Sequence, residues 1–364
     1  MVAASFTVLH TEASVGFGGQ EIRILAESRW LGEHGVTALV AAQPGSRLLA
    51  EAERAGIPAL AIRMRGAWDA RALAALRRLM RARGADIVHT HSSVDSWLGG
   101  LAARSLGLGV VRSRHVTIPI PRRRALVYRL AHRIVTSGEA VARIVAAAGI
   151  PRARIVAIGP GIDTRRFHPG VSGAAVREEL GLTGPAVGIV ANIRGSKGHQ
   201  HFLDAAPAVL RAHPHARFVI VGDGIGFDDV KRRVKALELE PHVSMTGFRR
   251  DVPEIMAALD VLVLPSVKSE AMSQVIPQAL AVGTPVVGTT VGGTPELVRD
   301  GETGRLVPPA DAAALARAII DLLGDRERAR AMARRGQAEV LSRHTIDAAM
   351  TRLLDVYAEA RARR

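Results

Sequence analysis

An α/β fold of two parallel-sheet domains is what this sequence predicts, and three observations carry the prediction. The 364 residues exceed what one ordinary core fills, and at roughly 100–200 residues per domain two domains are expected. Hydrophobic residues make up 48% of the chain but aromatics only 3%. The apolar content is therefore Ala, Val, Leu and Ile, the composition of helices packed on buried parallel strands. Short β-branched runs alternate with helical patterns throughout, as strand-helix-strand units require.

In the first half, strands are expected at Phe6 to Leu9, Val36 to Ala41, Asp86 to His91, Val110 to His115 and Arg133 to Thr136. Helices fall between them at Gln20 to Leu31, Ala70 to Arg83, Asp95 to Leu106 and Glu139 to Ala148. Ile155 to Ile158 ends the series and meets Gly159-Pro160-Gly161, a breaker. A second series follows Arg166-Phe167-His168-Pro169-Gly170, with strands at Val187 to Ala191, Phe218 to Val221, Val243 to Thr246, Val261 to Leu264 and Pro285 to Gly288. The domains then cover 1–165 and 166–345. Asp311 to Arg364 is helical by pattern, and its last segment, 346–364, packs outside the second sheet or returns to the first domain. Ligands of open parallel sheets sit at the carboxyl ends of strands, so two such domains facing each other would form a cleft.

The chain has no cysteine, which removes disulfides, thiolate metal sites and Cys nucleophiles and fits a reducing cytoplasm. Its amino terminus, MVAASFTVLHTEAS, lacks the basic and long apolar regions of a signal peptide. The longest uncharged run, Ala271 to Pro295, holds three prolines and is a poor spanning helix. A net charge of +15 points to nucleic acid, an anionic membrane surface or a phosphorylated substrate. With so few aromatics for base stacking, nucleic acid is not expected as a partner.

The segment Ser266 to Val298 is the most informative. It sets Glu270, and eight residues later Gln278, on a turn and helix after a strand. Amides at a helix start can hold phosphate, while two such side chains about two helical turns apart can hold hydroxyls. Arg194-Gly195-Ser196-Lys197-Gly198 follows the first strand of the second domain. A guanidinium and an ammonium there can neutralise a leaving diphosphate, or are simply exposed cations beside a turn. Gly16-Phe17-Gly18-Gly19-Gln20 lets backbone approach a phosphate or sugar, or is a flexible turn; it lacks the dinucleotide spacing.

His89 and His91 share one face of a strand and His115 ends the next. A metal reading of the first two needs a third ligand, and none lies nearby in sequence. His115, at a strand terminus, would reach the cleft and donate to a hydroxyl, or pack. Arg71, Arg77, Arg78, Arg81 and Arg83 crowd a helix with Leu73, Leu76, Leu79 and Met80. It is either a surface for anionic lipid or a solvated outer face, and Arg122-Arg123-Arg124 reads likewise.

Together these motifs resemble glycosyltransferase family 4, the group 1 family of retaining, nucleotide-sugar-dependent enzymes with two Rossmann-like domains in the GT-B fold. GPGIDTRRFHP, the R-x-x-K-G loop, VGDG, GFRRDVPEIMAALDVLVLPS, the Glu270 motif and DGETGRLVPPAD follow in the family's order, and the likeness runs from Val8 to about Leu341. The resemblance implies Gly18 and Gly19 near donor phosphates and acceptor, and His115 as the active-site histidine. It implies Arg194 and Lys197 on the diphosphate, Phe248 beside the base, Glu270 beside the transferred sugar, and amides of 271–275 on sugar and phosphate.

Three departures from the family pattern stand out: Gln278 stands for the second Glu, Met272-Ser273 for Phe-Gly, and Asn192 where many members place the arginine. The implied activity is metal-independent, hexosyltransferase-like transfer from a nucleotide diphosphate sugar, a co-substrate, to a hydroxyl acceptor such as a lipid-linked one. No other cofactor and no Asp-x-Asp metal pair is expected. The implied setting is cell-envelope glycolipid or polysaccharide synthesis, in the cytoplasm or peripheral at the inner face of the cell membrane. A nucleotide-sugar epimerase of the same fold and, because of Gln278, a non-catalytic sugar-nucleotide-binding protein are the alternatives.

Overall fold

A computed structural model describes residues 6–363, so the part of the amino-terminal reading that falls on Met1 to Ser5 lies outside the described residues. The chain divides into two compact units, Met1–Gly161 with Ile346–Arg364, and Ile162–Thr345. The boundary drawn at 165/166 thus falls at 161/162, and the terminal segment belongs to the first unit.

Seven strands build the first unit: β1 (Thr7–Glu12), β2 (Thr37–Ala42), β3 (Ala59–Ala61), β4 (Ile87–Thr90), β5 (Gly109–Arg114), β6 (Arg133–Thr136) and β7 (Ile155–Ala157). They form one parallel sheet in the order β3-β2-β1-β4-β5-β6-β7. Its helices are α1 (Gly19–Glu33), α2 (Arg47–Arg54), α3 (Ala70–Ala82), α4 (Ser93–Arg104), the short α5 (Arg122–Ala125) and α6 (Glu139–Ala147). Because side chains alternate along a strand, Leu9, Val88, Val110 and Ile134 face α3 and α4, whereas Val8, Ile87, Val111 and Val135 face the opposite way.

The second unit adds α7 (Ala174–Glu179), β8 (Ala186–Val190), α8 (His199–Ala212), β9 (Arg217–Val221), α9 (Phe227–Ala236), β10 (Val243–Gly247), α10 (Val252–Ala258), β11 (Val261–Leu264), α11 (Val275–Val282), β12 (Val286–Thr289), β13 (Arg305–Val307), α12 (Ala312–Gly324) and α13 (Arg326–Arg343). Its strands are parallel in the order β10-β9-β8-β11-β12-β13. Val187, Ile189, Phe218, Ile220 and Val263 pack on α8 and α12, and Val219, Val221, Leu262 and Leu264 on α10 and α11.

The last helix, α14 (Ile346–Ala362), repeats apolar residues at helical spacing. Ile346, Met350, Leu353, Tyr357 and Ala360 are buried on the face of Val8 and Ile87. That interface is hydrophobic, at roughly 1.5–3 kcal/mol for each large side chain fully buried.

Three differences from the sequence reading have physical causes. β1 runs on to Glu12, past the expected end at Leu9, and His10, Thr11 and Glu12 are fully buried; the apolar pattern stops before the strand does. The edge strands β3 (Ala-Leu-Ala) and β13 (Arg-Leu-Val) lie outside the sequence reading because they lack the β-branched run that marks the equally short β7. In α3, Ala72, Leu76, Leu79 and Met80 are core residues of the first unit, so that helix has no apolar face left for lipid, and Arg71, Arg78 and Arg81 are exposed.

Candidate active site

In each sheet the strand order reverses once: between β1 and β4 in the first unit, and between β8 and β11 in the second. Ligand crevices of such sheets open at the carboxyl ends of the strands flanking that reversal.

In the second unit those ends carry Lys197 and Glu270. The loop after β8 ends at Gly198, whose φ of +72° disfavours an ordinary side chain and whose Cβ would lie 1.9 Å from the Pro265 carbonyl oxygen. A glycine lets the Lys197 turn press onto the chain leaving β11, where the Val267 N–H donates to the Ser196 carbonyl at 2.9 Å. Gly292 closes the far side with φ of +58°, and a Cβ there would lie 1.6 Å from the Glu270 carbonyl oxygen.

Held between them, the buried Glu270 carboxylate accepts from Lys197 Nζ and from Ser266 Oγ, each at 2.6 Å. Thr289 Oγ1 fixes Ser266 by donating to its carbonyl at 2.6 Å. Sequence reasoning missed Ser266 and Thr289; the signal for Ser266 was its place four residues before Glu270 at the end of a strand.

The remaining expected residues of this unit divide. Glu270 sits in an irregular loop, since α11 begins only at Val275, so Glu270 and Gln278 are not two helical turns apart. Gln278 is half-buried in α11. Among the described residues, the backbone N–H groups of Ala271, Met272 and Ser273 have no acceptor. Met272 packs against the core, and Ser273 Oγ accepts from the Val275 N–H at 3.3 Å. Phe248 follows β10, is 39% exposed, and lies under the Arg250 guanidinium at 5.6 Å.

Arg194 is exposed. It lines a groove with Gly195, His199, Gln200 and Arg233, a lining that includes neither Lys197 nor Glu270. Asn192 instead lies against the glycine loop after β9, with Oδ1 2.8 Å from where a Gly224 Cβ would stand. His199 opens α8, and both its buried ring nitrogens lack partners. Burial, and then Lys197, push its pKa down to about 4.

In the first unit, parallel register sets His10 of β1 beside His89 of β4, and His91 and His115 follow β4 and β5 on the same face. His10 Nδ1 lies 3.0 Å from His91 Nε2, and His91 Nδ1 lies 3.2 Å from His115 Nε2. His89 bonds Tyr357 of α14 through Nδ1 and Ser113 through Nε2, both at 2.8 Å. Burial lowers the pKa of all four; for His10, which falls to about 3, the Arg23 charge adds to it.

Ring nitrogens of His10, His89 and His91 lie within 4.8 Å of one another. The third imidazole, which no residue near in sequence supplies, comes from β1, distant along the chain. His89 nevertheless has both nitrogens engaged, so a cation held by the trio would have to displace Tyr357 or Ser113.

The glycine loop meets carboxylates. The Gly18 N–H donates to Glu21 Oε2 at 2.8 Å and the Ser14 N–H to Glu12 Oε1 at 2.7 Å; Gly19 opens α1. Burial, and then the Asp95 charge, push the Glu12 pKa up. Asp95, also raised by burial, accepts from the N–H groups of His91 and Ser92, each at 2.8 Å.

Residues 17–166 match the family model Glycosyltransferase Family 4, and residues 184–325 match Glycosyl transferases group 1. The chain is 30% identical to 2-deoxystreptamine N-acetyl-D-glucosaminyltransferase of Streptomyces fradiae, across 91% of this chain and 88% of that one. This protein belongs to the group 1 glycosyltransferases.

A second relative, D-inositol 3-phosphate glycosyltransferase of Acidothermus cellulolyticus, is 33% identical over 77% of this glycosyltransferase and 68% of its own length. Among solved structures, Anabaena HepE in complex with UDP and glucose superposes with a TM-score of 0.86 at 22% identity, covering 97% of this chain and 99% of that one. That likeness shows the fold, GT-B with two Rossmann-like α/β units. Among the described residues, no helix is long and apolar enough to cross a membrane.

Proposed function

We propose that this glycosyltransferase moves a sugar from a nucleotide diphosphate sugar to a hydroxyl acceptor with retention of configuration. The observation that carries the reading is the Lys197–Glu270 pair at the strand reversal of the second unit, beside the open amides of Ala271, Met272 and Ser273. A diphosphate there meets an ammonium and amide dipoles aimed at developing negative charge, the arrangement that stabilises a leaving group without a metal. Glu270 then holds hydroxyls of the transferred sugar, Gln278 the ribose and Phe248 the base. Arg194 adds long-range positive charge to the same turn. HepE was solved with UDP and glucose, which supports a uridine diphosphate sugar as the first donor to try.

The acceptor belongs to the first unit in this reading. Its glycine loop is lined by Glu12 and Glu21, which suit a hydroxyl-bearing ligand better than a phosphate. The loop after β5 exposes Val116, Ile118 and Leu126 around the exposed Arg122, Arg123 and Arg124. Apolar and cationic groups together suit an anionic membrane surface carrying the acceptor.

The test is a panel of nucleotide sugars screened by thermal shift, then transfer assays with and without EDTA and NMR of the product anomer. Transfer that survives EDTA and keeps the donor's configuration is expected. An altered donor sugar without acceptor consumption would instead mark an epimerase, and normal transfer by Glu270→Ala would remove the site assignment. Equal binding to neutral and anionic liposomes would remove the membrane.

A further inference from the structure

The four histidines of the first unit are more than the single active-site imidazole, His115, that the family resemblance implies. Their rings form a path from the core outward: His10 is fully buried, His91 nearly so, and His115 partly exposed. His10 stacks on His91 with centroids 5.2 Å apart, and His91 on His115 at 5.5 Å. We propose that His10 and His91 are positioning residues that hold His115 in one tautomer, with the proton on Nδ1, so that it acts as a hydrogen-bond donor.

Each neutral imidazole has one N–H and one lone pair. The contacts run His10 Nδ1 to His91 Nε2 and His91 Nδ1 to His115 Nε2. Two self-consistent patterns satisfy both: every ring protonated on Nδ1, or every ring protonated on Nε2. The inner end of the chain separates them, because His10 Nε2 is buried and has no partner. In the second pattern that atom is an N–H with no acceptor, whereas in the first it is a bare lone pair. An orphaned buried N–H is the rarer defect, so the first pattern is selected. His115 Nε2 then accepts from His91, and its Nδ1–H, which has no partner among the described residues, is left for a ligand.

His89 supplies an internal contrast. His89 Nδ1 lies 2.8 Å from the Tyr357 hydroxyl and Nε2 2.8 Å from Ser113 Oγ; in our proposal Tyr357 donates to Nδ1, which puts the His89 proton on Nε2. Depressed basicity keeps the string neutral near pH 7. The functional consequence rests on the proposed transfer reaction: His115 offers a proton-bearing nitrogen to a sugar or acceptor hydroxyl and is not the base that deprotonates it.

Full-length protein labelled with nitrogen-15 at histidine reports each tautomer through long-range proton–nitrogen correlations, with signals assigned from His115→Asn and His91→Asn. His10, His91 and His115 are expected in the Nδ1–H form and His89 in the Nε2–H form. An Nε2–H signal for His115, or fast averaging between its forms, overturns the proposal. His10→Asn, whose amide keeps an N–H near the Nδ1 position, should preserve the His115 signal, and His10→Leu should convert it to a mixture. If His10→Leu fails to fold, the wild-type and His10→Asn spectra still decide. In transfer assays His10→Leu should lower kcat about tenfold with KM nearly unchanged, and His10→Asn should restore it. A wild-type protein with no transfer activity but the expected tautomers would sink the proposed reaction alone.

Discussion

The two strand reversals of this glycosyltransferase share one topology and differ in chemistry. At β8 and β11 an ammonium, a carboxylate and a serine meet in an ion pair. At β1 and β4 the matching positions hold neutral imidazoles, with Glu12 and Asp95 alongside. The ionic arrangement of the second unit suits a ligand that brings its own negative charge and can draw Lys197 to itself. The uncharged arrangement of the first unit suits a neutral, hydroxylated ligand read by donors and acceptors. One parallel-sheet scaffold can thus present an ionic or an uncharged polar surface, and the difference lies in a few side chains at the strand ends.

The strongest attempt to break this contrast is Lys197→Met. It leaves Glu270 buried with only Ser266 as a side-chain partner, and a loss of about 3–5 kcal/mol in stability is expected. Transfer should fall about 10²- to 10³-fold. Denaturant melts and turnover assays check both, and a variant with wild-type turnover would remove the ionic role of the second unit.

Next, Gly292→Ala places a side chain where the Glu270 carbonyl stands, at a backbone angle of φ +58°. It should cost about 3 kcal/mol and displace Glu270, lowering turnover as well as stability. Unchanged melting would mean that the loop around Glu270 adapts freely.

The neutrality of the first unit is tested by pH. Folding lowers the His10 pKa to about 3 from the ordinary 6.5. Between those values the unfolded chain binds a proton that the folded unit refuses. His10 therefore leaves stability intact above pH 6.5 and removes it as pH falls toward 3, at about 1.4 kcal/mol per pH unit. Replacing it by Asn removes this linkage, so the stability of wild type relative to His10→Asn should drop by about 2 kcal/mol between pH 7 and pH 5. A pH-independent difference between the two proteins would show that folding leaves the His10 pKa at its ordinary value.

The smallest expected effect sharpens the second unit. Gln278→Glu offers an ionised acceptor in place of a neutral one, and charge-assisted hydrogen bonds are roughly twice as strong. The donor KM should fall by about threefold to tenfold with melting unchanged, and an unaltered KM would place Gln278 outside the donor's reach.

The legible parts of the molecule were those with a repeating pattern or a local spacing. Val187 to Ala191 and Val261 to Leu264 read as strands because β-branched residues fill them, and β8 and β11 appear within one residue of those spans. Lys197 and Glu270 were singled out because each follows a strand at a turn. The extent of β1 was not legible, because His10 and Glu12 interrupt its apolar run although both are fully buried. Arg194 was read with Lys197 from proximity in sequence, and it lines a groove with His199 and Arg233 whose lining includes neither Lys197 nor Glu270.

By itself, then, the sequence determined the α/β class, the alternation of elements and the loops that carry chemistry. These follow from period, composition and turn residues, which act over a few neighbours in the chain. Tertiary structure alone decided that His10 joins His91 across 81 residues and Tyr357 reaches His89 across 268. It also decided that Lys197 meets Glu270 across 73. Such pairs are set by strand order and by the packing of loops and helices on the sheet, and a partner in a distant segment leaves no periodic mark on either segment.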